Sequence, residues 1–327
     1  MRLIGLAVIF TFSLILAPLA AEAQAGNVYR IGFLGVSSAA DYAANRQAFR
    51  QGLRDLGYEE GKNISIEYRW ANGRNERLPA LAAELVRLNP DVLVTHAGPG
   101  IRAAQQATST IPIVMGTSSD PVRLGLVKSL AKPGGNTTGV SLQLIDLAAK
   151  RLELLREAVP NLRQVAVLSN PALPGAREAV KETEVAARTL GVRVRSFKVV
   201  REPTELETEF AAILRERPDA LIVIPTPLVG AHLARIAEFA ARNRLPAMGW
   251  ERGFVAAGGL ISYGGDFLEG WRLAARYVDR ILKGAKPAEL PVEQQNKFEL
   301  VINLKTAKVL GLTIPQSILV RADQVIQ

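Results

Sequence analysis

The sequence predicts an α/β fold of two similar lobes, each a parallel sheet flanked by helices. Three observations carry that prediction. Short apolar runs alternate with amphipathic stretches, which is the pattern of βαβ units. The same layout occurs twice. Tyr29 to Ser37 reads as a strand running into a small polar loop, and the helix after it stops at Leu56-Gly57; Arg163 to Pro171 and Leu190-Gly191 do the same, and Ile31 to Gly57 spans the same interval as Val165 to Gly191. Finally, 327 residues with 48% hydrophobic and 22% charged side chains suit two ordinary domains, each with its own core. Two such lobes enclose a cleft.

The parallel continues along both halves. Asn89-Pro90-Asp91 opens the strand Val92 to Thr95, and Arg217-Pro218-Asp219 opens Ala220 to Ile224. Ile111-Pro112 leading to Met115-Gly116 is matched by Leu245-Pro246 leading to Met248-Gly249.

The elements follow in order. Arg2, the apolar run Leu3 to Leu19 and the small-residue sites ending at Ala23 and Ala25 predict a secretory signal peptide over residues 1–25, cleaved after Ala23 or Ala25. A membrane anchor is the competing reading, but Pro18 interrupts a run of barely spanning length. First-lobe strands are expected at Arg30–Leu34, Asn63–Trp70, Asp91–Thr95, Ile111–Met115 and Thr138–Ser141. Between them, Tyr42 to Leu56 places Ala44, Ala48, Leu53 and Leu56 towards one helical face, and Leu78 to Leu88 places Leu81, Leu85 and Leu88. Second-lobe strands are expected at Gln164–Leu168, Arg193–Val199, Ala220–Ile224, Ala247–Gly249 and Leu260–Ser262. Gly57 and Gly191 stand where helices end in a left-handed cap. A long helix, Phe267 to Leu282, has Trp271, Ala275, Val278 and Leu282 in phase.

Three segments are expected to cross between lobes and act as hinges: 133–139, 257–265 and the region from Pro291 to Phe298. The expected division is 26–137 plus 264–294 for the first lobe and 138–263 plus 295–327 for the second.

Composition and motifs exclude several functions. The net charge of +9 comes from Lys and Arg scattered along helices, with no basic tail, so a solvated basic surface is read rather than nucleic-acid binding. There is no cysteine, hence no disulfide and no lipid attachment site. Gly98-Pro99-Gly100-Ile101-Arg102-Ala103 imitates a dinucleotide fingerprint but ends in Ala, holds a Pro in its tight turn and is not on the first βα unit. No metal-ligand spacing, phosphate-binding loop or nucleophile elbow is present, so no cofactor, no metal and no intrinsic ATPase are expected. His96 and His232 are the only histidines.

Many segments also stand together in a familiar order: Ile-Gly-Phe-Leu-Gly from Ile31, Phe-Arg-Gln-Gly-Leu-Arg-Asp-Leu-Gly-Tyr to Tyr58, Leu-Pro-Ala-Leu-Ala-Ala-Glu-Leu-Val from Leu78, Gln-Ala-Thr-Ser-Thr-Ile-Pro-Ile-Val to Val114, Ser-Leu-Ala-Lys-Pro-Gly-Gly-Asn-Thr-Thr-Gly to Gly139, Lys-Phe-Glu-Leu-Val-Ile-Asn-Leu-Lys-Thr-Ala from Lys297 and Leu-Gly-Leu-Thr-Ile-Pro to Pro315. With the signal peptide, the chain resembles the type I periplasmic substrate-binding proteins of ABC importers, in a branch that includes members linked to tryptophan and related aromatic amino acid uptake. The resemblance covers essentially the whole mature chain. It implies two Rossmann-like lobes joined by three hinge crossings that close on a small ligand, a periplasmic, non-lipidated, monomeric protein, and as partners an ABC permease with separate ATPase subunits. A sensory receptor for a membrane kinase and a secreted hydrolase using His96 are the alternatives; no catalytic residue is assigned.

In parallel sheets, ligands bind outside the C-terminal strand ends. The loops there supply the candidates: Ser37 and Ser38; Ala97, Gly98 and Pro99; Thr117, Ser118 and Asp120; Asn170; Thr226; Trp250 and Glu251; and Tyr263. Hydroxyls and helix N-termini suit a carboxylate, so an amino acid or related carboxylate is the preferred ligand. Asp120 or Glu251 would hold an ammonium group, and Trp250 or Tyr263 would stack on an apolar part. Each has a structural alternative: capping for Ser38 and Asp120, sealing the lobe for Trp250, and pairing with Arg252 for Glu251. The family loop corresponding to His96–Gly100 more often reads Gly-Gly-Thr-Pro-Ala, so this chain lacks a hydroxyl at Gly98.

Overall fold

The first sheet is built around β1 (Tyr29–Gly35), whose central residues are buried on both faces. In the computed structural model, which describes residues 28–199 and 204–327, the expected signal peptide lies outside the described residues. After β1 come α1 (Ala43–Asp55), β2 (Ile64–Trp70), α2 (Leu78–Arg87), β3 (Val92–His96), α3 (Ala97–Ala107), β4 (Ile113–Ser118) and β5 (Thr137–Ser141). The second lobe begins with α4 (Leu147–Ala158), then β6 (Gln164–Ser169), α5 (Pro174–Leu190), β7 (Arg193–Lys198), α6 (Glu205–Glu216), β8 (Ala220–Val223), α7 (Pro227–Ala231), α8 (Leu233–Arg242), β9 (Ala247–Gly249), α9 (Arg252–Ala256) and β10 (Ile261–Gly265). The chain then returns through α10 (Phe267–Leu282) and β11 (Glu293–Gln294), and ends on β12 (Phe298–Asn303), α11 (Leu304–Val309), α12 (Gln316–Leu319) and β13 (Gln324–Ile326).

The strand orders are β11-β5-β4-β3-β1-β2 and β13-β12-β10-β9-β8-β6-β7. Pairing is parallel except for β10 with β12, since β12 enters its sheet from the opposite end. Both copies of the expected Leu-Gly stop adopt the left-handed conformation, Gly57 at φ 88° and Gly191 at φ 68°, with no atom near enough to exclude a side chain. Conformation alone asks for glycine there.

The long helix α10 follows the second lobe in sequence but packs on the first. Its Trp271 is fully buried against Phe33, Phe49 and Tyr42. A Cβ at Gly116 would lie 2.3 Å from that indole, and one at Gly52 would lie 2.8 Å from the Ala275 Cβ. Close contact at Gly52 rotates α1 so that it buries Ala48, Phe49, Gly52 and Leu53, while Ala44 and Leu56, expected on the same face, are exposed.

The crossings sit at 142–146, at Gly265–Asp266 and at 295–297. The segment 133–139, expected to cross, instead leads into β5. Gly139 is needed because it has φ 134° and its Cβ would lie 2.3 Å from the Met115 carbonyl oxygen, where β4 and β5 shift register. That glycine serves close strand contact, not hinging. The crossings are tied together: Gln143 Nε2 donates to Gln295 O at 2.7 Å and Gln295 Nε2 donates to Asp266 O at 2.5 Å; beside them, Arg151 Nε of α4 donates to Tyr263 O of β10 at 2.8 Å.

Gly139→Ala should therefore destabilise the protein by about 2–4 kcal/mol, through both strain and overlap. Chemical denaturation would show it as a lower midpoint with an unchanged slope. A midpoint equal to the parent's would contradict the account.

Candidate functional site

The C-terminal strand ends of both sheets face one cavity of about 390 Å³, walled by both lobes. From the first lobe come the loop after β1, the start of α3 and the end of β4. The second lobe contributes the start of α5, Pro225 to Pro227 after β8, and the loop after β9.

The α3 wall is locally strained. His96 is the helix N-cap residue, and Ala97 behind it holds φ 54°, a left-handed conformation that costs a non-glycine residue about 1 kcal/mol. Gly100 lets the helix approach β3, since a Cβ there would lie 2.5 Å from Thr95 Oγ1. Gly98 has open space where a side chain would project, with only Leu124 Cδ1 at 4.0 Å.

An aromatic stack forms part of this wall. His96 is buried, with its ring 4.1 Å from that of Tyr42 and nearly parallel to it. Trp271 Nε1 donates to Tyr42 Oη at 3.2 Å, and Thr117 is hydrogen-bonded to the same hydroxyl. Burial pushes the Tyr42 pKa upward. His96 Nε2 accepts the Val36 N–H at 3.0 Å, which assigns the proton to Nδ1. Desolvation lowers the His96 pKa to about 3. The imidazole is thus neutral, and its one acceptor nitrogen is spent on the backbone. This removes it as the base that the hydrolase alternative requires.

The structure brings Ser37, Ala97, Gly98, Pro99, Thr117, Ser118, Thr226, Trp250 and Glu251 to the cavity lining. Ser118 Oγ is buried without a partner among the described residues, and Thr226 caps α7 by accepting the Val229 N–H at 3.2 Å. Four expected residues do not line it. Ser38 donates to Asp41 Oδ2 and also accepts the Asp41 N–H. Asp120 accepts the Val122 and Arg123 N–H groups. Asn170 turns its Oδ1 to the Ala172 N–H, so its loop reaches the cavity only further on, through Ala172 to Ala176. Tyr263 packs beside Phe298 and against the core under α4 and α5.

Glu251 does not pair with Arg252, which forms an ion pair with Glu299 instead. Burial raises the Glu251 pKa, partly offset by a hydrogen bond from Trp250. Sequence reading missed Asp41, Tyr42, Asn45, Arg102, Leu124 and Phe267, which also face the cavity. Tyr42 precedes a helix whose periodicity marks it only as core, and Leu124 lies in a loop without periodic signal. At the cleft edge, Arg123 of the first lobe pairs with Glu178 at 2.8 Å and Glu182 at 2.5 Å on α5 of the second.

Among the described residues no helix is long and apolar enough to cross a membrane, and no group of His, Cys, Asp and Glu is placed to hold a metal. A family model described as ABC transporter substrate binding protein matches residues 34–326. A tyrosine-binding protein of Clostridioides difficile is 29% identical over 271 residues, covering 82% of this chain and 76% of that protein. Among solved structures, a conserved domain protein from Vibrio cholerae is 30% identical with a TM-score of 0.84, covering 91% of this chain and all of that one. An ABC domain in complex with L-Trp from Streptococcus pneumonia is 28% identical with a TM-score of 0.82, covering 92% of this chain and 100% of that one. The likeness extends over both lobes.

The neutral His96 fixes the sign of an acid effect. Its folded pKa of about 3 lies below the unfolded value near 6.5, so its contribution to stability is full above pH 6.5 and is lost as pH falls towards 3. In His96→Gln, whose carbonyl can still accept the Val36 N–H, stability should depend less on pH across that window. Denaturation midpoints at pH 7 and pH 4 would measure the difference; an identical pH slope in both proteins would refute the assignment.

Proposed function

This chain belongs to the ABC transporter substrate-binding protein family, and from that premise we propose that it captures an aromatic amino acid or related carboxylate between its lobes and delivers it to a membrane permease. Family membership gives it a binding role rather than a catalytic one. The observation that carries the proposal is the cavity itself, which draws its lining from both lobes and combines the aromatic Tyr42, Trp250 and Phe267 with the hydroxyls of Ser37, Thr117 and Thr226. Such a mixture suits a ligand with a flat apolar body and a few polar groups. The tyrosine-binding and L-Trp-bound relatives support the same ligand class.

The N-termini of α3 and α5 face the cavity, with Gly98 and Gly175 in its wall. Their partial positive charge suits the ligand's carboxylate. Capture works by closure: a ligand touching both walls favours the arrangement in which they are together. The Arg123 pairs with Glu178 and Glu182 span the lobes and favour it too. Energy for transport comes from separate ATPase subunits of the importer. The signal-peptide pattern of residues 1–25 supports release into the periplasm after cleavage.

Mass spectrometry of the molecule that co-purifies with the mature protein, followed by calorimetric titration and small-angle scattering with and without it, tests the proposal. The ligand should return intact and the protein should become more compact. Consumption of the ligand, or binding with no change in dimensions, would overturn it. Arg123→Ala should weaken binding by about 3- to 10-fold, since partly exposed ion pairs each contribute about 0.2–1 kcal/mol. Raising salt should weaken binding in the parent but much less in the variant, as titrations at two ionic strengths would show.

A further inference from the structure

The acidic side chains around the cleft are not equivalent. Asp41 is held by Ser38, Asp120 by two backbone N–H groups, and Asp266 accepts the Leu268 and Glu269 N–H groups at the start of α10. Each has a structural task. Glu251 has none of the tasks open to it. It stands at the N-cap of α9, yet its side chain makes no capping bond. The neighbouring cation, Arg252, turns to Glu299. Among the described residues, the one side-chain partner of the Glu251 carboxylate is the neutral Trp250 indole.

Nor does the rest of the cavity supply a countercharge. His96 is neutral, and Arg102 is exposed and donates through Nη2 to Leu124 O at 2.9 Å. A carboxylate in a desolvated cleft without a cation is costly unless something brings one. Here the missing cation would have to arrive with the ligand.

We propose that Glu251 is the counter-ion for a protonated amine on the ligand and makes that amine a condition of binding. This rests on the reading of the cavity as the capture site and narrows its ligand class. α-Amino acids and aromatic amines are accepted, while aromatic carboxylates of the same shape without an amine are rejected. An amine-free ligand would desolvate Glu251 and return no interaction, whereas an ammonium group forms a charge-assisted hydrogen bond with it. The indole of Trp250 then holds the carboxylate in place from its other side.

The test titrates the full mature chain with L-tyrosine and L-tryptophan, with 3-(4-hydroxyphenyl)propanoate and indole-3-propanoate, which lack the amine, and with tyramine and tryptamine, which lack the carboxylate. Removing one partner of a desolvated charge pair should cost about 100-fold in affinity, so the amine-free acids should bind about that much more weakly than the amino acids. Glu251→Gln, close in shape, should lose about 100-fold for amine-bearing ligands while binding the amine-free acids at least as well as the parent does, because the charge they would desolvate is gone. Its ligand-free melting temperature should match or exceed the parent's, because a half-buried charge without a cation partner is gone. Equal binding of amino acids and amine-free acids by the parent, unchanged amine affinity in Glu251→Gln, or a co-purifying ligand without an amine would each overturn the inference and leave capture between the lobes intact. If no small molecule binds reversibly, the capture reading falls and this inference falls with it.

Discussion

The relative placement of the two sheets depends on how their three crossings are fastened to one another. Arg151 is the centre of that fastening. Its guanidinium is fully buried, with no carboxylate partner among the described residues; it donates through Nε to Tyr263 O and through Nη1 to Leu144 O at 3.4 Å. Burial lowers its pKa to about 9, so it remains charged at neutral pH. A buried cation costs several kcal/mol in desolvation, and carbonyl dipoles from the first crossing and from β10, just ahead of the second, offset it. Gln143 and Gln295 add the links to the third crossing. Side chains rather than loop length thus hold the crossings in register. The cavity walls can meet only because this fastening fixes where each lobe begins.

A second dependence runs from the scaffold to the site. Trp271 is a core residue of the first lobe by burial, but its indole N–H is what orients the Tyr42 hydroxyl, and Tyr42 in turn stacks on His96 in the cavity wall. The contact of Trp271 with Gly116 sets the height of β4, whose end carries Thr117 and Ser118. Packing and recognition therefore share atoms. A change made to fill the core at this point also moves polar groups in the cleft.

Much of this was legible in the sequence, and the parts that were not have physical reasons. Strand positions came through because apolar runs such as Val92 to Thr95 are buried on both faces and need no partner information to be seen. The strands β11 and β13 did not, being two and three residues long and carrying too few side chains for a period. Segment 133–139 reads as a hinge because its glycines signal freedom, whereas Gly139 is there to let β5 press against β4. Ser37 and Thr226 reached the cavity as strand-end loops should. Ser38 and Asp120 have the same chemistry and the same kind of position, but spend it on their own backbone or on a neighbour. Only three-dimensional hydrogen-bond accounting separates those cases. For Glu251, sequence left a choice between Arg252 and a ligand, and Arg252 is engaged elsewhere.

The return of α10 and β11 to the first sheet bears on how the chain acquires its structure. The edge strand and the longest helix of the first lobe are encoded after nearly all of the second. A chain emerging from its N-terminus can therefore make the strands of the first lobe early, but cannot cover Phe33 and Phe49 until Trp271 follows. Synthesis order and folding order are uncoupled. If the chain is exported unfolded, as the proposed function has it, a domain unable to finish before its distal quarter is made stays threadable for longer.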